Sequence, residues 1–227
     1  MARPARRDVL GDGPCTVHLI ARCHNGDFLL RDELVKGMLY FLLYTYKSIF
    51  GILVHDYCFM DSHFHLVLTV PSQEALSRFT HQVLGQLARF INHKMRRKGQ
   101  VFMDRCRTPV IQSGRQFLLT MRYIVKNPVR AGIVKQASAY EWSSYGYYAY
   151  GRHDDLVDPA PEFEGLHKLV HKRREIYREL VGKLLGKGEE RLPEMSTWYF
   201  IGDRAWVLEM MKKRGFVRPR KPPELFL

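Results

Sequence analysis

Cysteine is scarce in this chain. Its four thiols, Cys15, Cys23, Cys58 and Cys106, form no Cys-x-x-Cys pair. That argues against a zinc knuckle and leaves buried free thiols as the expectation. No apolar run suits a bilayer: the longest, Met38 to Val54, is interrupted by Lys47 and holds several tyrosines. The start, Met1 to Arg7, is basic, but Asp8, Gly11, Asp12 and Gly13 stand where a secretory signal needs apolar residues. A cytoplasmic location with no membrane partner is therefore expected. Internal repeats and low-complexity blocks are missing too. Acidic side chains are outnumbered, 23 Asp and Glu against 36 Lys and Arg, for a net charge of +13. The imbalance favours a polyanionic partner, nucleic acid or an anionic membrane surface, and charge alone does not choose between them.

What is present suffices for a core. The 227 residues are 46% hydrophobic, enough for one domain of ordinary size plus an appendage. Cys15 to Cys23 is β-rich and predicts a first strand, followed by a turn at Asn25-Gly26-Asp27. Asp32 to Phe50 is apolar around most of its circumference and predicts a buried helix. Gly51 to Phe59 predicts a second strand. Met60-Asp61-Ser62 then turns it into a third, His63 to Val70, as a hairpin. Ser72 to Lys98 predicts a long helix, with Leu76, Phe79, Val83, Leu87, Phe90, Ile91 and Met95 near period 3.6. Thr108 to Gln112 predicts a fourth strand, and a helix runs from Ser113 toward Asn127-Pro128.

The order β-α-β-β-α-β predicts an α+β fold, a ferredoxin-like split βαβ sandwich with an antiparallel sheet and a further helix after the fourth strand. The first and third strands are then central. Helices are expected on one sheet face, leaving the other available for a site. Residues 1–150 form the expected main domain. Residues 151–161, rich in Pro and Asp, are expected to be a linker, and residues 162–227 a small helical extension. Glu162 to Leu185 and Trp198 to Arg214 predict helices within that extension. Arg218 to Pro223 predicts extended or disordered chain.

The third strand carries the most chemistry. With a side-chain period of two, Phe64, Leu66, Leu68 and Val70 share an apolar face, and His63, His65, Val67 and Thr69 share the other. Two imidazoles at that spacing can ligate one metal ion, and they equally fit hydrogen-bonded surface histidines. In Arg122 to Pro128, Tyr123 and Asn127 are i and i+4 and share a helix face. Tyr123 equally fits a core position, and Asn127 equally fits a helix terminus ahead of proline. If their face meets the histidines, one site holds a phenol nucleophile and three neutral ligands, His63, His65 and the Asn127 oxygen. A divalent ion there, Mg²⁺ or Mn²⁺, can polarise a phosphodiester. A tyrosine attack conserves the bond energy in a covalent phosphotyrosine. Arg122, Lys126, Arg130, Arg105 and Arg107 add positive charge nearby.

Taken together, His63-Phe64-His65, Tyr123 and Asn127 within Tyr-Ile-Val-Lys-Asn-Pro-Val-Arg-Ala-Gly-Ile-Val134, and Trp142-Ser-Ser-Tyr145 resemble the single-tyrosine HUH transposases. The match is closest to the REP-associated tyrosine transposases. The Met-Ala-Arg-Pro start, Val17-His-Leu-Ile-Ala-Arg22 and Gly99-Gln-Val-Phe-Met-Asp-Arg105 also resemble family segments, and the resemblance covers roughly residues 1 to 150. It implies metal ligation by His63, His65 and Asn127, and a nucleophilic Tyr123. It further implies cleavage of single-stranded DNA beside a hairpin, with a 5′-phosphotyrosine link and a free 3′-hydroxyl, by a monomer or a homodimer. Asp61-Ser62 departs from the Pro-Asn usual before the histidines. The Tyr199-Phe-Ile-Gly-Asp-Arg-Ala-Trp206 segment resembles a DNA-binding unit only faintly.

Single-stranded DNA needs a basic groove and aromatic platforms. Candidate phosphate contacts are Arg3, Arg6, Arg7, Arg89, Lys94, Arg96, Arg97, Arg115 and Arg130, each of which also fits a solvated surface charge. Tyr145, Tyr147, Tyr148 and Tyr150 fit either base stacking or the core. Two other functions compete with strand transfer: a non-cleaving DNA-hairpin-binding protein of the same fold, and a metal-dependent hydrolase using the histidines alone. The hydrolase lacks an Asp or Glu at clear ligand spacing.

Overall fold

The β-favouring run Cys15–Arg22 forms strand β1, and it pairs along its whole length with β3 (His63–Val70). The computed structural model describes residues 5–183 and 199–216; Arg3 and the Arg218 to Pro223 segment lie outside them. β2 (Leu53–Phe59) returns as β3 across Met60-Asp61-Ser62, and a two-residue β4 (Val110–Ile111) pairs with the other side of β1. These pairings are all antiparallel, in the order β2-β3-β1-β4, so β1 and β3 are central as in the ferredoxin-like sandwich.

Helix α1 (Arg6–Leu10) tucks Val9 and Leu10 into the core ahead of β1. Two longer helices, α2 (Glu33–Ile49) and α3 (Gln73–Lys94), pack on each other and cover the Phe64, Leu66, Leu68 and Val70 face. Asp32 caps the first by accepting from the amides of Leu34 and Val35, and Ser72 caps the second by accepting from Ala75. The second helix ends four residues before its pattern predicts, at Lys94. Arg96 takes a left-handed φ of 49°, which ends the helical path.

The opposite sheet face is not open, contrary to expectation. Helix α4 (Arg115–Val125) lies over it, because Phe117, Met121 and Ile124 need burial; Phe117 meets the His55 ring edge at 5.7 Å. A short α5 (Asn127–Arg130) and α6 (Tyr145–Tyr150) follow. Residues 151–160 have no helix or strand, but from Asp154 on they are held against the core. Leu156, Val157 and Ala160 are buried. Asp158 accepts from the Val54 amide at 2.8 Å and from Lys47 Nζ at 3.0 Å. Asp154 accepts from the hydroxyls of Tyr40 and Tyr57. Beyond them the expected helix from Glu162 is two pieces, α7 (Pro161–Glu164) and α8 (Val170–Gly182), whose Phe163 and Tyr177 join the same core as Tyr148.

An unexpected fifth strand, β5 (Phe200–Ile201), extends the sheet parallel to β4. Trp198 lies outside the described residues; of the rest of the predicted helix, Phe200–Ile201 are strand and only α9 (Arg204–Lys213), capped by Asp203, is helical. The apolar Phe200 and Ile201 find the unpaired edge of β4, with Val110 and Gln112 donating amides to Tyr199 and Ile201. Among the described residues no helix is long and apolar enough to cross a membrane.

Candidate active site

Strand alternation puts His63 and His65 side by side, ring centroids 5.0 Å apart and nearly perpendicular at 81°. In the β1–β3 register His18 lies opposite Val67, and so on the histidine face. Its Nε2 is 2.8 Å from Nδ1 of His65, and the two rings stack at 5.0 Å. Ser62 Oγ is 3.1 Å from Nδ1 of His63. Both paired imidazoles thus have Nδ1 occupied. Nε2 of His65 is buried with no hydrogen-bond partner among the described residues. A buried polar atom left so costs about 1–3 kcal/mol.

The phenol arrives from α4. The Tyr123 ring stands edge-on to His65 at 6.0 Å and to His18 at 6.1 Å, and the Arg130 guanidinium lies 4.2 Å over it. Asn127 comes one residue after the helix is interrupted at Lys126, yet the path stays nearly helical there (φ −86°, ψ −5°). Pro128 has no N–H to give the Ile124 carbonyl. The Asn127 amide nitrogen donates to it instead, at 3.1 Å, and to the Tyr123 carbonyl at 3.0 Å. Two carbonyl acceptors identify that end of the amide as nitrogen, so Oδ1 is the atom left for a ligand.

Burial is the first cause of the imidazoles' weak basicity. It pushes His63 down to about 4, helped by Arg22 and Arg130. His65 is lowered well below its usual range by burial, then by His63, His18, Arg22 and Arg130. Neutral imidazole is the form that ligates a metal. The donor set fits a divalent cation in kind: a bare buried nitrogen, a second neutral imidazole and an amide oxygen suit an ion tolerant of nitrogen, such as Mn²⁺. Among the described residues no group of three or more His, Cys, Asp and Glu is arranged to hold a metal, so any third donor has to be of another kind.

Residues 13–126, half of the chain, match the model of the IS200-like transposases. The chain belongs to the IS200-like transposase family. The span matched in this transposase includes His18, His63, His65 and Tyr123 and stops one residue before Asn127. No curated protein matches the chain significantly. Seven chains of solved structures do. One, a REP-associated tyrosine transposase bound to a REP hairpin, is 19% identical with a TM-score of 0.55, over 70% of this chain and 93% of that one. The fold is therefore that of a REP-associated tyrosine transposase.

The basic candidates of this transposase divide by burial. Arg7, Arg89, Lys94, Arg96, Arg105, Arg115 and Arg130 are exposed, and Arg97, Arg107 and Lys126 partly so. Lys94 pairs with Asp32 at 3.1 Å, and with Arg96, Arg97 and Lys98 it lines a basic recess at the end of α3. Two candidates face inward. Arg6 is 8% exposed and donates to Ser77, Thr80 and Cys106. Arg122 is 4% exposed and donates to the carbonyls of Leu180, at 2.7 Å, and Lys183, tying α4 to the end of α8. The tyrosines divide likewise: Tyr145 and Tyr148 are core, while Tyr150 is exposed. The spacing of the motifs missed His18, Ser62 and Arg22. Alternation puts Thr16, His18, Ile20 and Arg22 on one face of β1, but only the interstrand register tells which face.

Proposed function

We propose that this transposase cleaves and rejoins single-stranded DNA at hairpin-forming repeats through a covalent 5′-phosphotyrosine at Tyr123, in the manner of the REP-associated enzymes. The observation that carries the proposal is the approach of the Tyr123 ring to the paired imidazoles, 6.0 Å from His65, under a guanidinium. The Tyr123 oxygen attacks phosphorus and loses its proton. The bond from phosphorus to the 3′ oxygen breaks, and that oxygen leaves as a hydroxyl, so the step reverses on rejoining. Arg130 and Arg22, whose charges act on His63 and His65, offset the charge gathering on the phosphate. His63 and His65 through Nε2, with Asn127 through Oδ1, would hold Mg²⁺ or Mn²⁺. Such an ion supplies Lewis-acid polarisation of the phosphate when bound.

The exposed basic residues at the end of α3, with Arg7, Arg105, Arg107, Arg115, Lys126 and Arg130, are the proposed phosphate contacts. The solved relative of the same fold is bound to a REP hairpin, which supports a DNA hairpin as the ligand here. The approach of His65 and Tyr123 within one chain supports a site completed by a single subunit. A labelled single-stranded hairpin with Mn²⁺ is expected to give an adduct that survives denaturation, and Tyr123→Phe is expected to abolish it. An adduct of equal yield from that variant rejects the assignment.

A second reading, a hairpin-binding protein that does not cut, draws support from burial: Tyr123 is 8% exposed and His65 1%. Tight hairpin binding with no adduct in either metal would favour it.

A further inference from the structure

The polar groups around the paired imidazoles single out a residue on another strand. The two ring nitrogens of His65 have different surroundings. Nδ1 lies 2.8 Å from His18 Nε2, whereas Nε2 is buried and has no hydrogen-bond partner among the described residues. A neutral imidazole carries one proton. On Nε2, that proton would occupy the lone pair a cation needs; burial alone does not choose, because either arrangement leaves one proton on a buried ring nitrogen, His65 Nε2 or His18 Nδ1. On Nδ1, it is given to His18 Nε2 and the Nε2 lone pair stands bare. Only this second tautomer can ligate a metal. It requires His18 to accept at Nε2 and so to carry its own proton on Nδ1.

We infer that His18 is a positioning residue: it accepts the Nδ1 proton of His65 and thereby presents His65 Nε2, as a lone pair, to the divalent cation of the proposed site. This rests on the metal reading given above. Ser62 does the matching task for His63, its Oγ 3.1 Å from Nδ1. His18 is not itself a ligand, because its Nε2 is committed to His65. It is fully buried and stacked at 25° on the His65 ring, so it fixes the plane of that ring as well as its proton. Metal-bound histidines are commonly held in this way through their second nitrogen, and losing the partner commonly weakens the metal about 10–100-fold.

The test is a Mn²⁺ titration of the full chain without DNA, followed by calorimetry and by the paramagnetic resonance signal of free Mn²⁺. Thermal unfolding in EDTA checks that each variant is folded. His18→Phe keeps a ring of similar size and removes the acceptor, and is expected to weaken Mn²⁺ by about 10–100-fold. His18→Gln offers an amide oxygen to the same proton and is expected to recover most of the affinity. Ser62→Ala, which tests the same principle at the other imidazole, is expected to weaken Mn²⁺ too and serves if His18→Phe fails to fold. Should His18→Phe, or Ser62→Ala in its place, bind Mn²⁺ as tightly as the parent while His63→Ala does not bind it, the positioning role is overturned and the metal site stands. If the parent itself binds no Mn²⁺ and His63→Ala changes nothing, the metal reading fails and takes this inference with it.

Discussion

Asp56 on β2 carries a fully buried carboxyl, with the Ser144 hydroxyl on Oδ1 and no partner among the described residues for Oδ2. Burial pushes its pKa well up, and the bonds from Ser144 and the Tyr57 amide only partly oppose this. A raised folded pKa means that the native state holds the proton more tightly than the unfolded chain does. Its contribution is complete below the ordinary carboxylate range and is lost as pH rises through the folded value. Asp56→Asn keeps the acceptor for Ser144 and removes the titration. It is expected to stabilise the protein by about 1–3 kcal/mol at pH 7 and by little at pH 4, measured as urea midpoints. His63 behaves in the opposite sense. Its pKa falls from the ordinary 6.5 to about 4, chiefly by burial. Between those values the unfolded chain takes up a proton that the folded one refuses, so stability present at neutral pH is lost as pH falls through that window and is then flat. The loss in EDTA is expected to be at most about 3 kcal/mol and smaller in His63→Gln. An equal loss in the variant contradicts it. The histidine pair was legible at this scale because alternation depends only on a strand. His18 was not, because its place depends on how two strands align that bring together residues 47 apart in sequence, here with Ile20 opposite His65.

At the scale of elements, α4 matters most, since it delivers Tyr123. Its i, i+4 relation to Asn127 was visible in the sequence and persists through the interruption before Pro128, because the Asn127 side chain takes over the hydrogen bond that proline cannot make. What the pattern did not reveal is what anchors this helix. Arg122 stands next to Tyr123, the proposed nucleophile, in a basic chain, and its charge suggests a phosphate contact. Its guanidinium instead turns inward to the carbonyls of Leu180 and Lys183 at the end of α8. Charge is a property of the residue, whereas this use of it depends on a helix whose Leu180 lies 58 residues further along the chain. Arg122→Leu is accordingly expected to lower stability by about 2 kcal/mol. Hairpin affinity of the folded variant should stay within about twofold of the parent in a salt-matched filter-binding assay. A large loss of affinity at unchanged stability contradicts the anchoring role. The covering of the histidine face by α4 was likewise hidden, because an amphipathic pattern states that a face is buried and not which surface buries it.

Over the whole molecule, the order of strands and helices through α4 was readable because each element has its own period and the connections are short. The C-terminal part was less so. Phe200 and Ile201 form a strand only because β4 leaves an edge to pair with, a tertiary fact with no local signature. Arg214 then closes this end against α1 through the Leu10 carbonyl at 3.0 Å. The sheet so completed carries the imidazoles, the helix packed on it carries the phenol, and a chain with 36 Lys and Arg against 23 Asp and Glu suits a polyanion. The most direct measurement is to trap the reaction of the full chain with a single-stranded hairpin and Mn²⁺, digest it, and map the nucleotide-bearing peptide by mass spectrometry. The nucleotide is predicted on Tyr123, through a 5′-phosphate. A modified peptide elsewhere in the chain, or cleaved DNA with no peptide attached, would contradict it.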